Sequence, residues 1–332
     1  MIDFPSQVDG IKPTDACKQY NTSSTTISWL KRQSLQVAEE KLWDIMKINI
    51  ASVQRLVAKV ATFDNHLRMV RISSDLLPAY THADYKYFWK RADVIAYAEA
   101  NFIKIGDIAR KHGVRLSMHP GQFTVLASEN DGIVERSIEE FEYHADMARW
   151  MGYGKSFQDF KINVHISGKR GPDGIRAAHS KLSPEARNCI TIENEENAWG
   201  LDDCLTLIDL VPIVMDVHHH WCREGKYLAH GSDQVNRVID SWRGVRPTMH
   251  FSTSREDYLV GHDTLALPDY AVLLSSGYKK QKLRAHSDFM WNKAVNEWAL
   301  GFSNNFDIMV ESKGKNLASA VLYEQGKALG VF

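Results

Sequence analysis

The sequence has few cysteines, no long apolar run and no excess of either charge. Its four cysteines are far apart along the 332 residues, which argues against a zinc ribbon or a disulfide framework. No apolar run approaches the roughly 18 residues that a bilayer-spanning helix needs, and the N-terminus lacks the basic and apolar regions of a signal peptide. We therefore expect a cytoplasmic protein with reduced thiols, without membrane contact and without an evident obligate protein partner.

The 40 basic and 41 acidic residues nearly cancel, so the chain has no global positive field that would attract nucleic acid. A local basic surface is nevertheless sufficient for phosphate contacts. If the protein binds nucleic acid, its basic residues must therefore be clustered in particular loops.

Seven short apolar segments, each associated with an amphipathic helical pattern, make up most of the chain after residue 33. We predict strands at residues 67–72, 114–118, 160–166, 189–192, 211–217, 248–251 and 306–310. Near-continuous apolar strands that alternate with helices indicate a parallel sheet covered by helices. Residues 1–33 are polar and predict an irregular N-terminal arm, and the helical pattern that follows could break near Asn49.

Almost every predicted strand ends on a His, Asp or Glu, and this decides between two α/β folds. In a doubly wound sheet, ligands gather at one switch point. A closed barrel instead brings the C-terminal ends of all its strands together. The sequence therefore predicts a single (β/α)8 TIM-barrel domain over residues 1–332, with its first strand missing at the N-terminus.

These strand-end residues form a candidate metal centre. They are His119, His165, Glu193, Asp216 with His219, His250 and Glu311, and His82 and His286 lie in loops at the same end. Imidazoles mixed with carboxylates are typical ligands of Mn, Zn or Fe(II). These residues are more than one ion can bind, which indicates two or three ions within about 4 Å of one another. Such a centre could activate a water and hold a phosphate in line, or hold a sugar for a hydride or proton shift. In the run at 218–220, the spacing alone does not settle which imidazole faces the site.

Seven short motifs resemble those of the UV damage endonuclease family. They are Arg71-Ile-Ser-Ser-Asp-Leu, Arg115-Leu-Ser-Met-His-Pro-Gly-Gln-Phe, Asn163-Val-His-Ile-Ser-Gly, Ile192-Glu-Asn-Glu, Asp216-Val-His-His-His, His286-Ser-Asp-Phe and Asp307-Ile-Met-Val-Glu-Ser-Lys. The resemblance runs from about residue 20 to the C-terminus. It implies a xylose-isomerase-like barrel, also shared with endonuclease IV. It further implies an enzyme that cuts damaged double-stranded DNA immediately 5′ to pyrimidine dimers, leaving a 3′-hydroxyl and a 5′-phosphate.

The resemblance also implies roles for individual residues. The implied metal ligands are His82, His119, His165, Glu193, Asp216, His219, His250, His286 and Glu311. This set selects His219 over its neighbours, and His262 is a rival for the position of His286. We expect Glu193, Asp216, His250 and Glu311 to be the catalytic core, with two or three divalent ions of which Mn²⁺ is favoured over Mg²⁺, Co²⁺ or Zn²⁺.

Gln122 and Phe123 match a Gln-Tyr pair that members of the family insert into the duplex at the lesion. An aromatic side chain can replace the stacking that is lost at damaged bases, although Phe lacks the phenolic hydroxyl. The alternative is a loop aromatic folded onto the barrel. Further candidate DNA contacts are Arg71, Lys169, Arg170, Arg176, Lys279, Lys280 and Lys282, of which the last three could also form a solvated loop.

The chain departs from the family pattern in two places. Some members carry a carboxylated lysine two residues before the ligand that matches His250, whereas this chain has Thr248, so a hydroxyl, a water or a neighbouring residue must take over. The usual opening strand of the type Leu-Gly-Tyr is missing, which we interpret as a truncation or a mis-assigned start. Two alternatives remain open: a metal-dependent sugar isomerase or epimerase on the same barrel, and a catalytically impaired lesion-binding protein.

Overall fold

Seven parallel strands form the centre of the computed structural model, which describes residues 15–332. The strands are β1 Met69–Ile72, β2 Arg115–Met118, β3 Lys161–His165, β4 Ile190–Glu193, β5 Ile213–Asp216, β6 Thr248–Phe251 and β7 Asp307–Val310. They are hydrogen-bonded in chain order from β1 to β7. All seven strands predicted from the apolar segments are therefore confirmed, with ends that shift by one or two residues.

Helices lie between the strands and around the sheet. They are α1 Asp15–Lys18, α2 Ile27–Leu30, α3 Leu35–Val60, α4 Lys86–Trp89, α5 Ala92–His112, α6 Asp131–Trp150, α7 Gly171–His179, α8 Pro184–Cys189, α9 Leu201–Leu205, α10 Val217–Glu224, α11 Asp233–Ser241, α12 Tyr270–Ser275, α13 Lys280–Leu283, α14 Lys293–Leu300 and α15 Lys315–Ala328. Two 3₁₀ turns, Asn65–Leu67 and Glu256–Tyr258, complete the elements. In the predicted irregular arm, residues 15–33 contain two helices of four residues, α1 and α2, with turns and irregular backbone in the rest, and residues 1–14 lie outside the described part of the chain.

The sheet curls into a nearly closed barrel, and side chains connect its first strands to its last. Arg115 on β2 donates to Asp307 on β7 with a distance of 2.6 Å, and Arg71 on β1 pairs with Glu311 just after β7. No backbone pairing joins β7 to β1 among residues 15–332, and a cavity of about 880 Å³ lies between them. The predicted TIM-barrel class is confirmed, and the described part of the chain contributes seven of its strands.

The helix α3 is continuous, so the break considered near Asn49 is wrong. The side chain of Asn49 is fully buried and bonds outside the helix. Its Nδ2 donates to the carbonyls of Leu76 at 2.7 Å and Ser23 at 2.9 Å, and its Oδ1 accepts from the N–H of Ser23 at 2.7 Å. The polar residue therefore ties two loops to the helix without interrupting it.

Gly, Pro and Ser residues set several of the helix ends. Gly113 ends α5 in the left-handed conformation, with φ of 64°. Pro184 separates α7 from α8, where the Ser183 hydroxyl accepts from the N–H of Ala186. Ser232 caps α11 in the same way, through the N–H of Val235. These local signals set where each helix ends, and therefore where each strand delivers its terminal side chain.

Candidate active site

The C-terminal ends of the strands bring a set of imidazoles and carboxylates together around Glu193. Two groups of ligand atoms each lie within 4.8 Å of one another: His119, His165 and Glu193, and Glu193, Asp216, His250 and Glu311. Glu193 belongs to both groups and is fully buried at the end of β4. The parallel barrel causes this convergence, because every strand presents the same end at the same face.

Four imidazoles contact the carboxylate of Glu193. The distances are 3.3 Å for His119 Nε2 and 4.0 Å for His165 Nε2, both to Oε2. For Oε1 they are 3.1 Å to His250 Nδ1 and 3.6 Å to His219 Nδ1. A second carboxylate, Glu311, lies 3.3 Å from the same nitrogen of His250. The Glu193 carboxylate therefore lies at the centre of the cluster.

Several buried atoms of this cluster form no hydrogen bond of acceptable geometry among the described residues, although His250 Nδ1 and Glu193 Oε1 lie 3.1 Å apart. They are Oε1 of Glu193, Oδ2 of Asp216 and Nδ1 of His250. Buried polar atoms of native proteins are nearly always paired, and a bound ion can take the place of a hydrogen-bonding partner. Nitrogen and carboxylate donors of this kind are ligands of divalent transition metals. The residues therefore fit a metal centre.

Asp216 determines which histidine of the 218–220 run enters the cluster. Strand β5 ends at Asp216, whose Oδ1 caps α10 by accepting from the N–H of His219 at 2.7 Å. The helical turn brings His219 Nδ1 to 3.7 Å from Oδ2 of Asp216. His218 instead stacks on Trp221, with ring centroids 5.7 Å apart. The structure thus places His219 in the cluster, which sequence spacing alone could not decide.

The histidines and carboxylates of the cluster shift one another's pKa values. Burial alone would raise the pKa of Glu193, but the neighbouring His250 and His165 hold it well below its usual value. Burial raises the pKa of Asp216, and the charges of Glu193 and Glu311 add to this effect. Burial opposes charging of His219, yet Asp216 and Glu193 raise its pKa to about 9. Three buried carboxylates at one point therefore create a need for positive charge that a cation would satisfy.

Polar residues behind the ligands hold them in place, and sequence reasoning missed these residues. On β3, Asn163 donates to Oε2 of Glu193 and accepts from the Thr191 hydroxyl at 2.8 Å. Two residues earlier, Lys161 Nζ lies 3.2 Å from Nε2 of His250. Lys161, Asn163 and His165 alternate along one strand and so share its inner face. That alternation, ending on a predicted ligand, was the available signal.

The two loop histidines differ in their positions. His286 lines the cavity between β1 and β7 together with His119, His165 and Glu311, and its ring lies 6.2 Å from that of His219. Its rival His262 contacts the carbonyl of Ala266 instead. The contacts described for His82 are local: its Nδ1 accepts from the N–H of Asp84, and its ring lies beside Tyr85. The structure therefore brings His286 towards the cluster and leaves His82 in its own loop.

The loop after His119 carries the predicted probe of the duplex. The side chain of Phe123 is 85% exposed, which contradicts the alternative of an aromatic folded onto the barrel. Gln122 lines the cavity between β1 and β7 and also a second cavity of about 250 Å³ beside Glu195 and Glu196. Burial and the charge of Glu196 raise the pKa of Glu195 to about 7. The loop thus stands at the open edge of the cluster.

The candidate phosphate contacts differ in their present partners. Arg71 is engaged by Glu311 inside the barrel mouth. Three of the other basic residues form ion pairs. These are Lys169 with Glu129 at 2.9 Å, Arg170 with Asp131 at 2.9 Å and Arg176 with Asp209 at 2.7 Å. Lys279, Lys280 and Lys282 are exposed at α13, and Lys282 lies over the ring of Tyr258. Phosphate binding at 169, 170 or 176 would therefore compete with existing ion pairs.

A protein-family model described as UV-endonuclease UvdE matches residues 12–328. The chain belongs to the UV-endonuclease UvdE family. The UV DNA damage endonuclease of Bacillus thuringiensis subsp. konkukian is 25% identical over 308 residues, which cover 88% of this chain and 85% of the relative. The UV-damage endonuclease of Schizosaccharomyces pombe is 28% identical over 284 residues, covering 81% of this chain but 42% of the longer relative.

The fold agrees with this family. A solved structure described as the crystal structure of SacUVDE superimposes with a TM-score of 0.69 at 22% identity and covers 94% of each chain. Among the described residues of this UvdE family member, no helix is both long and apolar enough to cross a membrane. Family membership and the clustered ligands together support an endonuclease of DNA repair.

Proposed function

We propose that this protein is a metal-dependent DNA repair endonuclease that nicks the phosphodiester bond immediately 5′ to UV lesions, leaving a 3′-hydroxyl and a 5′-phosphate. The observation that carries the proposal is the Glu193-centred cluster, with the exposed Phe123 only four residues beyond the ligand His119. A catalytic cluster and a stacking probe on one short loop suit an enzyme that acts next to distorted bases.

Two overlapping sets of ligands bind two or three divalent ions, and we expect these ions to be Mn²⁺. His119, His165 and Glu193 form one set, and Glu193, Asp216, His250 and Glu311 form the other. Such ions lower the pKa of a water and stabilise negative charge on the attacking and leaving oxygens. His219 and His286 border these sets, whereas His82 would have to approach by a movement of its loop.

The protein's own residues account for orientation of the substrate. Arg71, held by Glu311, presents a cation at the mouth of the barrel where a phosphate would enter. Gln122 and Phe123 occupy the space opened in the duplex, and the exposed lysines at 279, 280 and 282 contact the backbone at a distance from the lesion. Asn163 keeps the Glu193 carboxylate in its bridging orientation.

The test is incubation of the purified protein with Mn²⁺ and a duplex that carries one defined pyrimidine dimer. We expect one nick directly 5′ to the dimer, and no nick in the undamaged duplex. Glu193→Gln should abolish nicking and metal binding, whereas Phe123→Ala should keep wild-type metal binding and lose selectivity for the lesion. Lesion binding without nicking, with metal occupancy measured, would overturn the proposed cleavage and favour a binding protein.

A further inference from the structure

Lys161 is a buried amine inside the barrel that the proposed reaction does not use. It is 3% exposed at the start of β3, and among residues 15–332 it forms no ion pair within 4.0 Å. The polar contact described for its Nζ is Nε2 of His250, at 3.2 Å. A buried lysine without an ion pair is costly, so its presence calls for a role at this contact.

The ring of His250 lies between this amine and two carboxylates. Its Nδ1 is 3.1 Å from Glu193 and 3.3 Å from Glu311, on the side opposite to the lysine. Rotation of the imidazole by 180° about the Cβ–Cγ bond would exchange the position of each nitrogen with that of a ring carbon. Both polar contacts would then be lost, so the contact at Nε2 and the position of Nδ1 are coupled.

We propose that Lys161 is a positioning residue, which fixes the ring of His250 so that Nδ1 faces the carboxylates of Glu193 and Glu311. The inference rests on the proposed metal centre, in which Nδ1 of His250 is a ligand atom. Groups that hold the second nitrogen of a ligating histidine typically change metal affinity about 10- to 100-fold when they are removed.

The geometry explains why a lysine has this task. Strand β3 is separated from β6 by β4 and β5, so only a long side chain reaches His250 across the interior. Thr248 lies on the same strand as His250 and is fully buried, but its hydroxyl has no partner among the described residues. Within the described barrel interior, Lys161 therefore makes the contact to His250 that the nearby hydroxyl does not make.

The experiment compares Lys161→Met, which keeps the length but loses the amine, with Lys155→Met as a control, in which the same change is made at an exposed lysine outside the cluster. The ¹⁵N shifts of the His250 ring are measured in the metal-free proteins, and Mn²⁺ affinity is measured by calorimetry. We expect Lys161→Met to change the tautomer or exchange state of the ring and to weaken Mn²⁺ binding about 10- to 100-fold. Lys155→Met should leave both within about twofold, because its side chain is exposed and lies outside the cluster.

An unchanged His250 ring signal together with unchanged Mn²⁺ affinity in a folded Lys161→Met protein would overturn the proposal. If that variant does not fold, Lys161→Gln, which retains a polar end on a shorter stem, is measured in the same way. The ring signal of the metal-free protein reports the lysine contact directly. Failure of the wild-type protein to bind Mn²⁺ or to nick DNA would therefore count against the proposed function and be seen separately.

Discussion

At the scale of single residues, Asp216 performs two tasks with its two oxygens. Oδ1 caps α10 through the N–H of His219, while Oδ2 is buried in the cluster without a hydrogen-bonding partner among the described residues. An asparagine can keep the cap but cannot supply the charge, whereas an alanine loses both. The two tasks can therefore be separated by a pair of substitutions.

We predict that Asp216→Asn lowers Mn²⁺ affinity by more than about tenfold and leaves the free energy of unfolding within about 0.5 kcal/mol. Asp216→Ala should lose the same affinity and a further 0.5–2 kcal/mol or so of stability, because the first turn of α10 loses its cap. Calorimetric titration and urea unfolding measure the two effects. Equal stability of the Asn and Ala variants would show that the cap is not important.

His144 is a buried histidine that should make stability depend on pH. Its Nδ1 donates to the Glu140 carbonyl at 2.7 Å, its Nε2 is unpaired within the described structure, and burial lowers its pKa to about 4. Between pH 6.5 and 4 the unfolded chain binds a proton here that the folded chain does not. Stability from this group is therefore present above pH 6.5 and is lost as the pH falls.

We predict that the unfolding free energy of the metal-free wild type falls faster than that of His144→Gln below pH 6.5, by about 1.4 kcal/mol per pH unit. The other histidines are present in both proteins, so the difference isolates this ring. Urea unfolding at a series of pH values between 7 and 5 measures it. Parallel pH profiles would mean that folding does not lower the pKa of His144.

At the scale of elements, α3 shows how a polar residue can join distant segments. Asn49 bonds to Ser23 and Leu76, which are 26 and 27 residues away. We predict that Asn49→Ala costs about 1–3 kcal/mol, because buried backbone groups of both loops lose their partners. Asn101→Ala on α5 is the control, since its amide donates only to the nearby Tyr97 carbonyl and to no distant loop. Chemical denaturation compares them, and equal losses would contradict the tethering role.

The same element shows where sequence reasoning reaches its limit. The stops at Gly113 and Pro184 and the cap at Ser232 could be predicted, because their physical cause lies within a few residues. The partners of Asn49 and Lys161 are set by tertiary folding and cannot be predicted from neighbouring residues. In the sequence, Asn49 therefore indicated a helix break that does not exist, and Lys161 gave no sign of its contact with His250. His219 was selected by family resemblance, whereas its physical cause, the cap by Asp216, became visible only with the end of β5.

At the scale of the whole molecule, side chains at both ends of β7 hold the barrel together next to the edge of β1 that has no strand partner among residues 15–332. Asp307 accepts from Arg115 on β2 and from Arg246 before β6, each at 2.6 Å. We predict that Asp307→Asn costs about 1–3 kcal/mol, and less at high salt because these groups are partly exposed. Thermal unfolding at low and high salt tests this. Asp263→Asn, in an exposed loop, is the control and should cost under about 0.5 kcal/mol.

The metal centre should link the opposite end of the barrel in the same way. The residues proposed as its ligands lie at the ends of β2 to β7, so an ion that binds only the folded protein would stabilise six strands at once. We predict that Mn²⁺ at 100 times its dissociation constant adds about 2.7 kcal/mol, and that chelation removes this gain. Glu193→Gln should be as stable with Mn²⁺ as without it, because the bridging carboxylate has lost its charge. A wild-type melting temperature that does not respond to Mn²⁺ would mean that the cluster does not bind this ion, and His250 would then need another explanation for its unpaired Nδ1.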